Sequence, residues 1–410
     1  MTAFTSLVLP NGATLPNRIA KAAMEENMAD ADHAPSAQHL QLYRAWAEGG
    51  AGLLISGNVM VDRRALTGPG GVVLESPQHL DRFRAWAQAG RSGGAQFWLQ
   101  LNHPGRQALA SMGQETVAPS AIALDLGALS RMFPMPRAMT EPEIADVIAR
   151  FANAARLAEQ AGFSGVQVHA AHGYLLSQFL SPLTNRREDR WGGSLENRAR
   201  LLLEVVKAVR AAVSPGFCVA VKLNSADFQR GGFDTEDARR VLEWLNELPV
   251  DLVELSGGSY EAPAMQGDAR DGRTLAREAY FLEFAQQMLG TARMPLMVTG
   301  GVRRLAVAEQ VLQAGLGAVG IGTALALDPQ LPRRWQAGER DASAAVPPIR
   351  WKHKLLAARA YMASVKYQMR ELSHGRRPRP GVSPLKALLI ERFDVARRTR
   401  QYRHWMAGKT

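Results

Sequence analysis

Eight short apolar runs, near residues 18–24, 51–56, 95–101, 166–168, 218–223, 251–255, 295–298 and 317–323, are each followed by a polar or glycine-rich cluster. After most of these clusters comes a stretch with helical spacing, near 36–48, 76–89, 140–161, 194–213, 234–247, 276–289 and 303–314. Several helix starts carry local signals: Ser36, Ser76-Pro77, the capping box Thr140-Glu141-Pro142-Glu143, and Asp234. Runs this short, apolar on both faces, suit an all-parallel sheet covered by helices. Eight βα units in about 310 residues predict a (β/α)8 TIM barrel. A doubly wound α/β sheet is the alternative that alternation alone permits. Polar clusters after nearly every strand favour the barrel, because its site is ringed by all the βα loops.

The ends of the chain fall outside that alternation. Residues 6–16 read as a small hairpin turning at Pro10-Asn11-Gly12. A long loop to about residue 138 has the length of a lid or functional loop. The net charge of +11 belongs to the C-terminus: from Arg350 onward there are 16 basic and 3 acidic residues, which leaves 33 basic and 35 acidic before it. We therefore expect a barrel over 1–335 and a basic, mainly helical extension over 336–410, with two helices around a break at 375–384. Such charge could meet nucleic acid, but no recognised binding motif accompanies it, and a solvated or subunit-packed extension (a homo-oligomer contact) is the expectation. No run approaches the roughly 20 apolar residues of a membrane span, and no secretion leader is expected at Met1. The single cysteine, Cys218, excludes an intramolecular disulfide and fits a reducing cytoplasm.

Chemistry concentrates where the strands end. The run at 166–168 stops at His169, with His172 and Tyr174 close behind. Two imidazoles there could bind a metal, but no third ligand sits at a suitable spacing. They could instead donate two hydrogen bonds to one carbonyl oxygen, with Tyr174 as a proton donor. Satisfied loop histidines and a packed tyrosine would leave the same pattern. Thr299-Gly300-Gly301 and Gly320-Ile321-Gly322-Thr323 follow consecutive strands, where barrels frequently hold a phosphate, although turn glycines read alike. Lys222 ends a strand, and a buried lysine calls for an anionic partner; Gln100 ends another and offers both a donor and an acceptor. His103 and Arg106, flanking Gly105, are expected to form a structural hydrogen-bonded pair.

The segments Leu15-Pro16-Asn17-Arg18-Ile19, Gln100-Leu101-Asn102-His103-Pro104-Gly105-Arg106, the stretch from Val166 to Pro182 with 185–198, and the paired glycine segments occur in order over residues 6–330. In this the chain resembles the Old Yellow Enzyme family of FMN-dependent NAD(P)H:flavin oxidoreductases, in its stand-alone form. The resemblance implies a barrel holding FMN at its C-terminal mouth and no metal. Ala22, Ala23 and Met24 would lie along the flavin, Asn58 and Gln100 would face its ring, and Lys222 would sit near N1 and O2. Gly300, Gly301, Gly322 and Thr323 would cradle the phosphate. It further implies that NADH or NADPH is the reductant and an α,β-unsaturated carbonyl compound the substrate. His169 and His172 would hold the carbonyl oxygen, hydride would come from flavin N5, and Tyr174 would supply the proton. Glu25 departs from the family's usual Cys or Thr near flavin O4, so its carboxylate is expected to point away or be neutral. Thr323 stands where Arg is often found. A non-redox barrel using Lys222 as a Schiff-base amine, and a flavin protein without turnover, remain alternatives.

Overall fold

A computed structural model describes residues 2–262, 278, 279 and 281–408. Eight parallel strands close on themselves: β1 (Ile19–Lys21), β2 (Leu53–Met60), β3 (Gln96–Asn102), β4 (Gly165–Ala170), β5 (Cys218–Asn224), β6 (Leu252–Ser256), β7 (Leu296–Val298) and β8 (Ala318–Ile321). Each strand pairs with the next, and β8 returns to β1 through Val319 opposite Ile19. The expected TIM barrel is therefore present, and the doubly wound alternative is not. Most of the expected elements lie within a few residues of the observed ones. The helix expected over 276–289 is observed as Leu282–Met288; residues 276, 277 and 280 lie outside the described residues.

Side chains alternate across a strand, and this alternation stacks the barrel interior in layers. Ala20, Leu53, Ile55, Trp98, Cys218, Ala220, Leu252, Met297 and Ala318 form an apolar inner cluster. The hairpin of Leu7–Val8 and Thr14–Leu15 adds Leu7, Leu9 and Leu15 to it, closing the end where the strands begin. Gly165 belongs to this layer because a Cβ there would meet Cys218 Cβ and Trp98 Cδ1, each at 2.7 Å. Two residues further along β3, β4, β5 and β6 the interior becomes polar, at Gln100, Gln167, Lys222 and Glu254. The scaffold thus places polar groups only at the C-terminal half of the barrel.

The helices cover the outside. The first, α1 (Ala37–Ala47), starts in a capping box in which His39 takes the place of the usual carboxylate, accepting from the Ser36 amide through Nδ1 at 3.3 Å. Only a neutral imidazole can accept there, and burial pushes His39 down to about 3, with help from Arg398 and Lys21. His103, on the loop after β3, accepts from the Gly105 amide at 3.1 Å, and burial pushes it down to about 4. Both groups bind a proton more readily when unfolded, so their contribution is complete above the unfolded value near 6.5 and is lost as pH falls through about 4 and 3. The contributions are on the order of 5 kcal/mol for His39 and on the order of 3 kcal/mol for His103. Urea midpoints are expected to fall between pH 6.5 and 4, less steeply in His103→Asn; equal slopes in the two proteins would remove His103 from the account.

Beyond the barrel the chain forms two long helices, Lys354–Ser373 and Pro384–Ala407. They pack back on the barrel. Tyr402 and Trp405 join Met60, Leu66 and Met112 in one apolar cluster. Tyr402 OH donates to Arg63 O at 2.9 Å, and buried Arg398 donates to Ala29 O at 2.7 Å. Lys366 lies 3.8 Å from Glu25, whose other oxygen accepts from Thr67 Oγ1. Glu25 is therefore partnered by Lys366 of the extension and by Thr67.

Candidate active site

The polar layer is one connected chain. Gln100 Nε2 donates to Gln167 Oε1 at 2.7 Å, Gln167 Nε2 to Glu254 Oε2 at 2.7 Å, and Lys222 Nζ to Glu254 Oε1 at 2.8 Å. The Lys222 and Glu254 side chains are 4% and 0% exposed. Glu254 is the anionic partner that a buried Lys222 requires. Behind β1, a second buried group, Lys21, donates to Tyr43 OH and Ile55 O, and Tyr43 donates to Glu26. Burial lowers Lys21 to about 8 despite the offsetting field of Glu26. Glu26 also accepts from the Gly57 amide at 3.0 Å, where a Cβ would strike Glu26 Oε2 and Met24 O. This cluster fixes the backbone on either side of Ala22, Ala23, Met24 and Asn58.

One layer higher stand His169, His172 and Tyr174. His169 follows Gln167 on the interior face of β4, opposite Lys222. The turn after β4 has His172 at φ 62° and Gly173 at φ 73°, left-handed values that cost a non-glycine residue energy. Two bonds hold it: the His172 amide donates to Asn224 Oδ1 at 3.0 Å, and Gln107 Nε2 donates to His172 O at 3.0 Å. A Cβ at Gly173 would come 2.7 Å from Gln107 Oε1. The rings converge, with centroids 5.1 Å apart for His169 and His172 and 4.9 Å for His169 and Tyr174.

Burial, then the Lys222 charge, pushes both imidazoles well below the usual histidine range. Neutral His169 accepts from the Ala171 amide through Nδ1 at 3.2 Å, which puts its proton on Nε2. His172 Nε2 lies 2.8 Å from Ser256 Oγ. Tyr174 OH is 3.5 Å from Asn58 Nδ2 and 3.1 Å from Tyr260 OH, and burial raises its phenol well above the ordinary value.

Around the rim the paired glycines behave as an open cradle. Among the described residues, no backbone carbonyl accepts from the amides of Gly300, Gly301, Gly322 or Thr323. Gly300 and Gly301 have φ of 121° and 75°, and a Cβ at Gly322 would face Met24 at 3.8 Å. Free amides on β7 and β8 loops, a buried ammonium and an amide edge form a donor set that fits a ring with an imide edge joined to a phosphate, as in FMN.

Arg106 and His103 do not form the expected pair. His103 turns to Gly105, whereas Arg106 binds Glu261 and donates to Ala123 O at 2.7 Å. The contact is hidden because Arg106 and Glu261 lie 155 residues apart, on loops that follow the non-neighbouring strands β3 and β6 and meet only once the barrel closes. Sequence reasoning also missed Gln167, Asn224, Glu254, Ser256 and Tyr260. Aligning the strands by their ends would have found most of them, since Gln-x-His, Lys-x-Asn and Glu-x-Ser each put a polar residue on the interior face.

A family model described as the NADH:flavin oxidoreductase / NADH oxidase family matches residues 4–342. An NADH-dependent flavin oxidoreductase from Talaromyces variabilis is 37% identical over 391 residues, covering 87% of this chain and 93% of the relative. Another from Neonectria sp. strain DH2 is 38% identical over 80% of this chain, which spans only 46% of that longer protein. The solved old yellow enzyme homologue from Zymomonas mobilis superposes with a TM-score of 0.72 at 26% identity, covering 84% of this chain and 95% of that one. Family model, relatives and closed barrel agree, and the chain belongs to the NADH:flavin oxidoreductase / NADH oxidase family, that of the Old Yellow Enzymes.

Proposed function

We propose that this NAD(P)H-dependent flavin oxidoreductase reduces the activated C=C bond of α,β-unsaturated carbonyl compounds. FMN, when bound, would supply the hydride chemistry that links NADH or NADPH to the substrate carbon. The chain's own residues bind, orient and protonate. Ala22, Ala23, Met24 and Asn58 would bound the ring's space, Gln100 and Lys222 would meet its polar edge, and the amides of Gly300, Gly301, Gly322 and Thr323 would serve its phosphate. The His169 Nε2 proton is free to point at a substrate oxygen. With Ser256 donating to His172 Nε2, the second imidazole presents its Nδ1 proton. Two neutral donors stabilise oxygen charge as it develops without repelling each other or Lys222. Tyr174 then protonates the carbon next to the carbonyl.

The observation that carries this reading is the convergence of two neutral imidazoles and a phenol at one point, with ring centroids about 5 Å apart. The Schiff-base alternative loses support because the Lys222 ammonium is held 2.8 Å from a buried carboxylate. Among the described residues no helix is long and apolar enough to cross a membrane. We place the enzyme in the cytoplasm, acting on small enones, with 336–410 as an extension of a 1–335 barrel. Stopped-flow mixing tests the activity: NADH or NADPH should bleach the flavin band, and an enone should restore it. Bleaching that no enone reverses would sink the enone assignment, and a flavin that never bleaches would leave a binding protein without turnover.

A further inference from the structure

We propose that Tyr260 is a second proton carrier of this site, passing its phenolic proton to Tyr174 as Tyr174 protonates the substrate; the inference rests on the enone reading above. Tyr174 is 7% exposed, so a phenolate formed there would be buried. Burial already holds this phenol well above its ordinary value, and the field of Glu25 adds to the shift. Among the described residues, the two groups able to donate to that oxygen are Tyr260 OH at 3.1 Å and Asn58 Nδ2 at 3.5 Å. Of these only the phenol can release a proton under ordinary conditions. Tyr260 is the more exposed tyrosine and stands at the rim, with the edge of Phe133 at 6.1 Å between ring centroids. Burial and the field of Glu25 raise the Tyr260 phenol as well, but Tyr260 is the less buried side chain, so moving charge from Tyr174 to Tyr260 carries it toward water.

Its position is built rather than incidental. Asn224, which orients His172, also donates to Gly258 O at 3.0 Å, and the Gly258 amide donates to Ala226 O at 3.0 Å. On the other side, Glu261 binds buried Arg106 and accepts from the Asp125 amide at 2.8 Å. Tyr260 is thus anchored two residues upstream and one downstream. The protons balance in sequence. The Tyr174 O–H bond breaks as the substrate C–H bond forms, the Tyr260 O–H bond breaks as the Tyr174 O–H re-forms, and water at the rim reprotonates Tyr260.

The test uses FMN-loaded enzyme reduced with NADH, mixed with cyclohexenone in a series of H2O/D2O ratios. The wild type is expected to give a bowed proton inventory, the sign of two protons in motion. Tyr260→Phe keeps the ring but is expected to slow the enone step ~10-fold and make the inventory linear. In a Tyr174→Phe background the same change should cost nothing further. A linear wild-type inventory, or an undiminished rate in Tyr260→Phe, overturns the relay while enone reduction stands. Wild-type enzyme that reduces no enone overturns the functional reading and this inference together. The wild-type inventory decides the matter even where the variant fails to fold.

Discussion

Lys222→Met is expected to destabilise the folded chain by ~3–5 kcal/mol, the cost of leaving a buried carboxylate without its cation. Glu254 is fully buried, and apart from Lys222 its described hydrogen-bond partner is Gln167, a neutral amide. The loss reflects the stranded charge more than the bond itself. Lys222→Met combined with Glu254→Leu should therefore recover most of the stability, because an apolar pair of similar volume replaces the ion pair without an uncompensated group. The two variants separate structure from function. Both lack the ammonium proposed to face the flavin, so both should lose FMN on gel filtration, while only the single variant unfolds early in urea. A single variant as stable as the wild type would mean that Glu254 is neutral or hydrated, and the polar layer would need a different account.

Tyr174→Phe is the second large effect. The ring and its edge-on contact with His169 survive, and only the hydroxyl is lost. The enone step should slow by roughly 10²–10⁴-fold, the range of a positioned acid. Flavin reduction by NADH needs no proton from the protein and is the internal control. Equal slowing of both steps would point to a distorted site instead, since the residue also heads the short helix Leu175–Leu180. Apolar packing at this position is satisfied by either residue, so stability should change by less than ~1 kcal/mol.

The barrel was legible because its determinants are local. Run length, cap residues such as Ser36 and Asp234, and glycines at strand ends each act within a few positions, and these caps are seen in place. The candidate site was legible only where its residues cluster in the chain, as His169, His172 and Tyr174 do. What the chain leaves implicit is what comes from neighbouring strands. The partner of Lys222 sits one strand over, in register, at Glu254. The orientation of His172 depends on Asn224 and Ser256, on two further strands, and on a left-handed backbone that a histidine rarely adopts. Arg106 was misjudged for the same reason. A lone motif gives no sign of which loop will stand above it once the barrel closes.

Closure also imposes an order on assembly. The segment that includes Ala22 and Met24 is made early, yet the Ala22 amide finds its acceptor only in Ile321 O, and Met24 packs beside Gly322. During synthesis the first strand must wait, half-paired, for almost the entire barrel to emerge. Its buried cation, Lys21, can use its partners on β2 and α1 meanwhile, since Ile55 and Tyr43 arrive soon after it. The wall proposed to face the flavin is thus pre-assembled on one side and completed by the last strand. Cofactor uptake belongs to the end of folding, and a chain that holds its flavin is one whose two ends have already met.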